Sequence, residues 1–310
     1  MYDLIGDLHG HADTLHAMLH KLGYRQEHGV YRHPERRVLF LGDFIDRGPK
    51  IRETLDIVRA MVDTGAARAV LGNHEWNALA FETPDPHRPG EYLRPHNPKN
   101  VHQIRQTVAQ LNDSQRADWL AWFRTLPLWH DEPEIRAVHA CWAPASMRRL
   151  VEFAGVTIGN IPRATDELLI AGNQTGSPIM KAAEIVLKGK ETPLPEGITY
   201  TDKDGTQRHQ ARVRWYLPTQ GYRLSEYCFG DAEGADVPLP DRVHTEAEPY
   251  PADAPPVFVG HYWVRDDRPS PWAKNVACLD YSVAKGGYLC AYRWDGERVL
   301  DENRFVRVDP

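Results

Sequence analysis

Cysteine is scarce in this chain. The four present among 310 residues, Cys141, Cys228, Cys278 and Cys290, are scattered and form no CxxC pair. That spacing argues against a disulfide framework or a zinc knuckle and fits buried thiols in a reducing compartment. No apolar run approaches the roughly 20 residues that a membrane-spanning helix needs. Positive charge is not in excess, with 37 Lys and Arg against 43 Asp and Glu and a formal net charge of -6, which speaks against a nucleic-acid-binding surface. The opening stretch Met1–Gly10 already carries Asp3 and Asp7 and lacks the basic-then-apolar order of a secretion signal, so a soluble, cytoplasmic protein is expected. No internal repeat and no clean linker composition are evident. One domain over 1–310 is therefore expected, with 143–255 as an insertion or cap-like elaboration within it.

What is present alternates in type. Residues 2–6 read as a strand that stops at the polar cluster Asp7-Leu8-His9-Gly10, and His11 to Leu22 has helical apolar spacing ending at Gly23. Residues 24–37 suit a loop or hairpin. Val38–Leu41 form a second strand, and a helix follows Pro49 with Ile51, Leu55 and Val58 on its inner face. Ala69–Leu71 form a third strand before Gly72-Asn73-His74-Glu75. Five prolines fall in 83–100, an irregular excursion. Helices are expected over 101–111 and 115–126, the second capped by Asn112, Asp113 or Ser114, with Trp119, Trp122 and Phe123 in the core. Glu134–Val138 is a strand ending at His139. Beyond it the pattern is less regular. Parts of 165–188 look helical, 189–210 looks like a hairpin with an Asp204-Gly205 turn, and 211–216 looks like a strand. Strands at Val257–Gly260 and Val276–Leu279 end at His261 and Asp280. Tyr288–Trp294 and Arg298–Val299 read as a hairpin around Asp295-Gly296. Strand, charged loop, helix and strand again is α/β grammar.

The stretch from Val38 to Pro49 is the most demanding. An apolar strand ends at Gly42 and at once presents Asp43, Asp46 and Arg47. Carboxylates beside apolar surface need a compensating cation. Collecting the other strand ends gives Asp7, His9, Asn73, His74, His139, His261 and Asp280. Ligand-bearing loops beyond strand carboxyl ends are where α/β sheets bind their partners. Carboxylate, amide oxygen and imidazole suit manganese, iron or zinc rather than copper(I), and there are more of them than one ion needs. Two ions close together can share a carboxylate and a water, and phosphoester hydrolysis fits that arrangement because its transition state calls for charge neutralisation. Arg47 can grip a phosphate in bidentate fashion, and a histidine that is not a ligand can protonate the leaving oxygen.

Gly6-Asp7-Leu8-His9-Gly10, Gly42-Asp43-Phe44-Ile45-Asp46-Arg47-Gly48 and Gly72-Asn73-His74-Glu75 resemble the three signature motifs of the calcineurin-like metallophosphoesterases. The resemblance is narrower still, to the branch of the serine/threonine protein phosphatases and bacterial diadenosine tetraphosphatases. It is firm over 1–80, looser over 135–142 and 257–290, and absent from about 143–255. It implies an α/β fold, the four-layer α/β/β/α sandwich of mixed sheets. It also implies hydrolysis of phosphate esters by a hydroxide bridging two divalent metal ions, manganese first, with iron, zinc or nickel as alternatives. In that pattern Asp7, His9 and Asp43 hold one metal, and Asp43, Asn73, His139 and His261 hold the other. His74 is the general acid, oriented by Asp46, and Arg47 binds phosphoryl oxygens. Arg47, Asn73, Arg148 and Trp142 are carried as substrate contacts, although Arg149, Arg212, Arg214 and Arg223 compete with Arg148 for the role of second arginine. Glu75 reads as a buried structural partner. The substrate is a phosphorylated small molecule, a nucleotide or a phosphoprotein. The acid at Asp46 and Glu75 after the motif histidine favour phosphomonoesterase or protein-phosphatase-like activity over hydrolysis of bis(5'-nucleosyl) tetraphosphates. A non-catalytic phosphate-binding scaffold is a further alternative, disfavoured because no ligand is missing.

Overall fold

The computed structural model describes residues 1–157, 160–201, 207–230 and 236–310; the Asp204-Gly205 turn lies outside these. Two mixed sheets form its centre. The first has the strand order Phe305–Val308, Leu289–Trp294, Tyr2–Ile5, Arg37–Phe40, Ala67–Ala69, and its last three strands run parallel. The second has the order Val276–Cys278, Val257–Val259, Arg136–Val138, Trp129–Asp131, and its first three are parallel. Side chains from both sheets meet in one buried cluster that includes Leu4, Leu39, Leu41, Ala137, Phe258, Ala277, Leu279 and Tyr292. A larger cluster lies between the sheets' other faces and the helices. The layered α/β/β/α arrangement follows.

The strands are short and buried on both sides, which suits parallel sheets covered by helices and explains their near-continuous apolar runs. Six of them, three in each sheet, lead from their carboxyl ends into Asp7, Asp43, Asn73, His139, His261 and Asp280. The expected hairpin over 24–37 is present as Arg25–Glu27 paired with Val30–Arg32. The helix Asp113–Phe123 begins at Asn112, whose Oδ1 accepts from the Gln115 backbone while the Gln115 side chain accepts from the Asn112 N–H. Trp119, Trp122 and Phe123 are buried, and all four cysteines are free and buried.

Several expectations need correction. Leu289–Trp294 pairs with Phe305–Val308 rather than with 298–299. Val299 is exposed, Leu300 turns into the core, and the chain needs these extra residues before it can return alongside the sheet. The strand expected over 211–216 is only Gln210–Arg212, paired with Glu191–Pro193, because Trp215 and Tyr216 leave the ladder to pack in the core. The third strand is Ala67–Ala69, two residues earlier than the apolar run suggests. Two longer helices escaped the periodicity, as did the short Leu224–Tyr227 and Asp241–Glu246. Asn73–Glu82 is buried all round and has no amphipathic stripe to read, and Pro144–Ala154 follows the His139 loop directly. Residues 144–250 enter between strands Arg136–Val138 and Val257–Val259, and many of their apolar side chains join the larger core cluster.

Candidate metal and phosphate site

The site begins with backbone held where side chains seldom allow it. His9, Asp43, Asp46, Arg47 and His261 have φ of 43°, 53°, 67°, 68° and 72°. Left-handed conformations cost a non-glycine residue of order 1 kcal/mol or more, and such strain tends to concentrate at functional sites. Gly42 (φ 93°) makes the turn possible, since a Cβ there would lie 2.6 Å from the Gly72 Cα. Gly260 is needed for a different reason: a Cβ would sit 2.1 Å from an Asp7 carboxylate oxygen.

Glu75 pays for much of this strain. It is fully buried, and its carboxylate accepts from the backbone N–H groups of Asp43 (2.9 Å), Phe44 (2.8 Å), Ile45 (3.3 Å) and Gly72 (3.1 Å). Burial, and then the charge of Asp43, push its carboxyl up to about 7 despite these donors. Glu75 is thus the brace that holds the second motif against the third, as its type and position suggested.

Asp43 lies at the centre. Its Oδ1 accepts from the His74 N–H (2.9 Å) and lies 3.3 Å from His139 Nε2. Its Oδ2 lies 3.7 Å from His9 Nε2 and 3.8 Å from His74 Nε2. Two groups with metal-ligand spacing result, His9–Asp43–His74 and Asp43–His139–His261, with Asp43 common to both. Asn73 Oδ1 faces the second group, 3.1 Å from His139 Nε2 and 2.7 Å from His261 Nδ1.

The donor set fits cations. The Nδ1 atoms of His9 and His139 face the carbonyls of Ile45 (2.8 Å) and Leu41 (2.7 Å), so Nδ1–H donates to those carbonyls and Nε2 carries the lone pair in each neutral ring. His139 Nε2 then confronts two acceptors, Asn73 Oδ1 and Asp43 Oδ1, which only a proton or a metal ion can reconcile. Burial alone would lower the His139 pKa, but Asp43 and Asp7 overcome it and raise the ring to about 10. His261 Nε2 is buried with no hydrogen-bond partner among the described residues. Asp7 accepts from the His261 N–H (3.1 Å), and burial followed by the neighbouring Asp280 pushes its carboxyl well above the usual range. These residues form a concentration of buried lone pairs and negative charge.

On the rim, His74 Nδ1 donates to Asp46 Oδ2 at 2.6 Å, leaving Nε2 toward the centre. Thr107 fixes Asp46 by donating to its Oδ1 (2.5 Å) and accepting from its N–H (3.1 Å). Arg47 reaches inward, its terminal nitrogens 3.2 Å from His9 Nε2 and 3.3 Å from His74 Nε2, and its guanidinium lies over the Trp263 ring at 3.9 Å. Asp280 accepts from the N–H groups of Trp263 (2.8 Å) and Ser282 (3.0 Å), which fixes that loop. Thr107 and Trp263 were not singled out from sequence, since neither carries a ligand type or falls in a motif.

Two of the expected substrate contacts are placed elsewhere. Arg148 is exposed on Pro144–Ala154, whose inner face is Met147 and Leu150, so it points away from the cluster. Arg212 occupies the neighbourhood instead: its charge, after burial, is the next cause lowering the His261 pKa, and its Nε donates to the Lys188 carbonyl at 2.8 Å. Trp142 is buried with the Arg136 guanidinium 4.8 Å over its ring, and it lines a cavity beside the site rather than the metal-ligand cluster. The other expected site residues are brought together.

The sequence profile described as calcineurin-like phosphoesterase matches residues 2–167. The chain belongs to that family. Among its relatives, the asymmetrical bis(5'-nucleosyl)-tetraphosphatase PrpE of Halalkalibacterium halodurans is 32% identical over 186 residues, 56% of this chain and 66% of that protein. The PrpE of Bacillus subtilis is 35% identical over 186 residues, 56% of this chain and 67% of its own length. The match therefore spans about two-thirds of these relatives. A symmetrical bis(5'-nucleosyl)-tetraphosphatase of Hamiltonella defensa is 25% identical over 306 residues, 95% of this chain and 94% of that one. Among solved structures, a mutant cold-active protein tyrosine phosphatase aligns over 99% of this chain and 76% of its own, with 17% identity and a TM-score of 0.50, a likeness of fold. The tetraphosphatase relatives weigh against the inference drawn from Asp46 and Glu75 in favour of the protein-phosphatase side.

Two outcomes follow from this geometry. Glu75→Ala leaves four backbone donors unsatisfied and should cost at least about 3 kcal/mol in urea unfolding of the metal-free protein, while Glu75→Gln, which keeps one acceptor oxygen, should cost less; equal stability of Glu75→Ala and wild type would contradict the brace. Because the metal-free fold holds a proton on His139 up to about 10, a bound ion must displace it. Apparent affinity should then rise about tenfold per pH unit from about pH 7 to about pH 9, with proton release seen by calorimetry in buffers of different ionisation enthalpy. A pH-independent affinity would contradict it.

Proposed function

We propose that this chain is a metal-dependent hydrolase of nucleotide polyphosphates. The observation that carries the catalytic half is Asp43, a buried carboxylate common to two ligand groups. The tetraphosphatase names of its relatives support the substrate half. Asp7, His9 and Asp43 would hold one divalent ion, and Asp43, Asn73, His139 and His261 the other, manganese being the first choice, with iron, zinc and nickel as alternatives for this O/N donor set. Such ions, when bound, neutralise phosphoryl oxygens and make a water nucleophilic near neutral pH.

The chain's own residues supply the rest. Arg47, held flat by Trp263, offers two N–H donors to equatorial oxygens of the attacked phosphoryl group. Once protonated, His74 keeps one proton on Nδ1 against Asp46 and can give the one on Nε2 to the leaving oxygen. Thr107 keeps Asp46 in line for this task. Residues 143–255 are read as an elaboration of one domain that flanks the site, in a protein of the cytoplasm. A phosphomonoester or phosphoprotein substrate is the second reading, favoured by the Asp46–His74 pairing.

The test compares His74→Ala with wild type, both manganese-loaded, on diadenosine tetraphosphate, a phosphopeptide and para-nitrophenyl phosphate. Wild type should turn over the dinucleotide best. The variant should lose about 100-fold or more in kcat, and less on para-nitrophenyl phosphate, whose leaving group needs little protonation. Its metal content should be unchanged. Loss of an ion from His74→Ala would make His74 a ligand and contradict the general-acid role; preference for the phosphopeptide would contradict the substrate.

A further inference from the structure

A row of cations leaves the site on one side. Arg94 donates to Gln103 Oε1 (2.8 Å) and Asn77 Oδ1 (3.2 Å), and Gln103 Nε2 is 3.3 Å from His74 Nδ1, so Arg94 stands one side chain behind the Asp46–His74 pair. Lys188 ends the helix Pro178–Lys188, and its carbonyl accepts from Arg212. This helix end is pressed against the His261 loop: a Cβ on Gly189 would lie 2.7 Å from the Tyr262 hydroxyl, and the Val186 carbonyl accepts from the N–H groups of Ala140 and Cys141, just after His139. Lys188 thus shares this helix end with Arg212, and the charges of Arg94 and Arg212 both act on it.

An i,i+4 pair with Glu184 (3.2 Å) at a helix C-terminus is ordinary for a lysine. Two arginine charges acting on it as well are not. Glu184 accompanies Lys188, Glu191 lies 3.8 Å from Arg212, and Asp46 and Glu184 act on Arg94; burial, opposed by Glu184 and then reinforced by Arg94, lowers the Lys188 pKa. Crowded like charges with donors to spare are unfavourable unless an anion joins them. Lys188 and Arg212 also line a cavity of about 550 Å³, with Trp142, Lys190, Trp215 and Arg242 among its other walls. That is room enough for several phosphates.

We propose that Lys188 and Arg212 form a second phosphate subsite that binds the phosphates of a nucleotide polyphosphate lying beyond the one attacked at the metal centre. This rests on the polyphosphate reading and gives it a structural basis: Arg94 is joined through Gln103 to the His74 side of the site, and Lys188 and Arg212 line the cavity beside it.

Lys188→Met and Lys188→Arg test it, in the full chain loaded with manganese at a fixed free concentration. In Lys188→Met the ratio of kcat/KM on diadenosine tetraphosphate to that on para-nitrophenyl phosphate should fall at least tenfold, through KM, and Lys188→Arg should recover most of it. Inorganic tripolyphosphate should inhibit wild-type hydrolysis of para-nitrophenyl phosphate at least tenfold more tightly than orthophosphate, and Lys188→Met should erase that preference. Equal losses on both substrates, or an unchanged preference for tripolyphosphate, would overturn the subsite. Wild type that ignores diadenosine tetraphosphate yet shows the Lys188-dependent tripolyphosphate preference would overturn the substrate reading and keep the subsite.

Discussion

The Asp43 carboxylate is the charge on which the rest of the structure depends. It is buried between His139 on one side and His9 and His74 on the other, and no arginine or lysine forms an ion pair with it among the described residues. A carboxylate withdrawn from water costs several kcal/mol unless paired, so the fold around it is organised to receive positive charge. Six strand ends from two sheets converge on that point, and each brings a ligand type or an acid. The imidazoles are oriented from behind by carbonyls of Leu41 and Ile45, so their outward nitrogens are already aimed when an ion arrives. Preorganisation of this kind spares the reaction the work of arranging charge later.

That arrangement is held against local backbone preference. Asp43, Asp46 and Arg47 all take left-handed φ values, a conformation that aspartate tolerates better than most side chains and that arginine does not favour. Glu75 compensates by gathering four backbone donors under the loop, and Thr107 does the same for Asp46 from a helix sixty residues along the chain. Division of labour within the second motif follows from geometry. Asp43 faces the cluster, Asp46 faces away and steers His74, and Arg47 turns back over the opening with Trp263 beneath it.

The motifs were legible from sequence because they combine an apolar strand, a glycine and ligand-type residues, three signals that rarely coincide without a site. The six strands that end in those residues were placed by the same signal, whereas the edge strands Trp129–Asp131 and Phe305–Val308, which carry no ligand at their ends, were not. What escaped depended on contacts across the fold. Thr107 and Trp263 look like ordinary helix and loop residues until the strand ends are brought together. Arg148 seemed the better second arginine because it is near His139 in sequence, but helical phase turns it outward, whereas Arg212, seventy residues on, is carried inward by its short pairing with Glu191–Pro193. The final hairpin was misjudged because Asp295-Gly296 looks like a tight turn, while burial of Leu300 demands a longer return. Asp46 and Glu75 pointed to the protein-phosphatase side, whereas the tetraphosphatase relatives lean toward the other reading; bracing by Glu75 and orientation by Asp46 are what the geometry itself explains.

The central claim is that one carboxylate serves two ions, and metal stoichiometry tests it most directly. Elemental analysis after manganese loading and desalting should find two ions per chain in wild type. His261→Ala should keep one, and Asp43→Asn, which preserves a side chain tolerant of positive φ but removes the charge, should keep fewer than one. Two ions retained by Asp43→Asn would contradict the account.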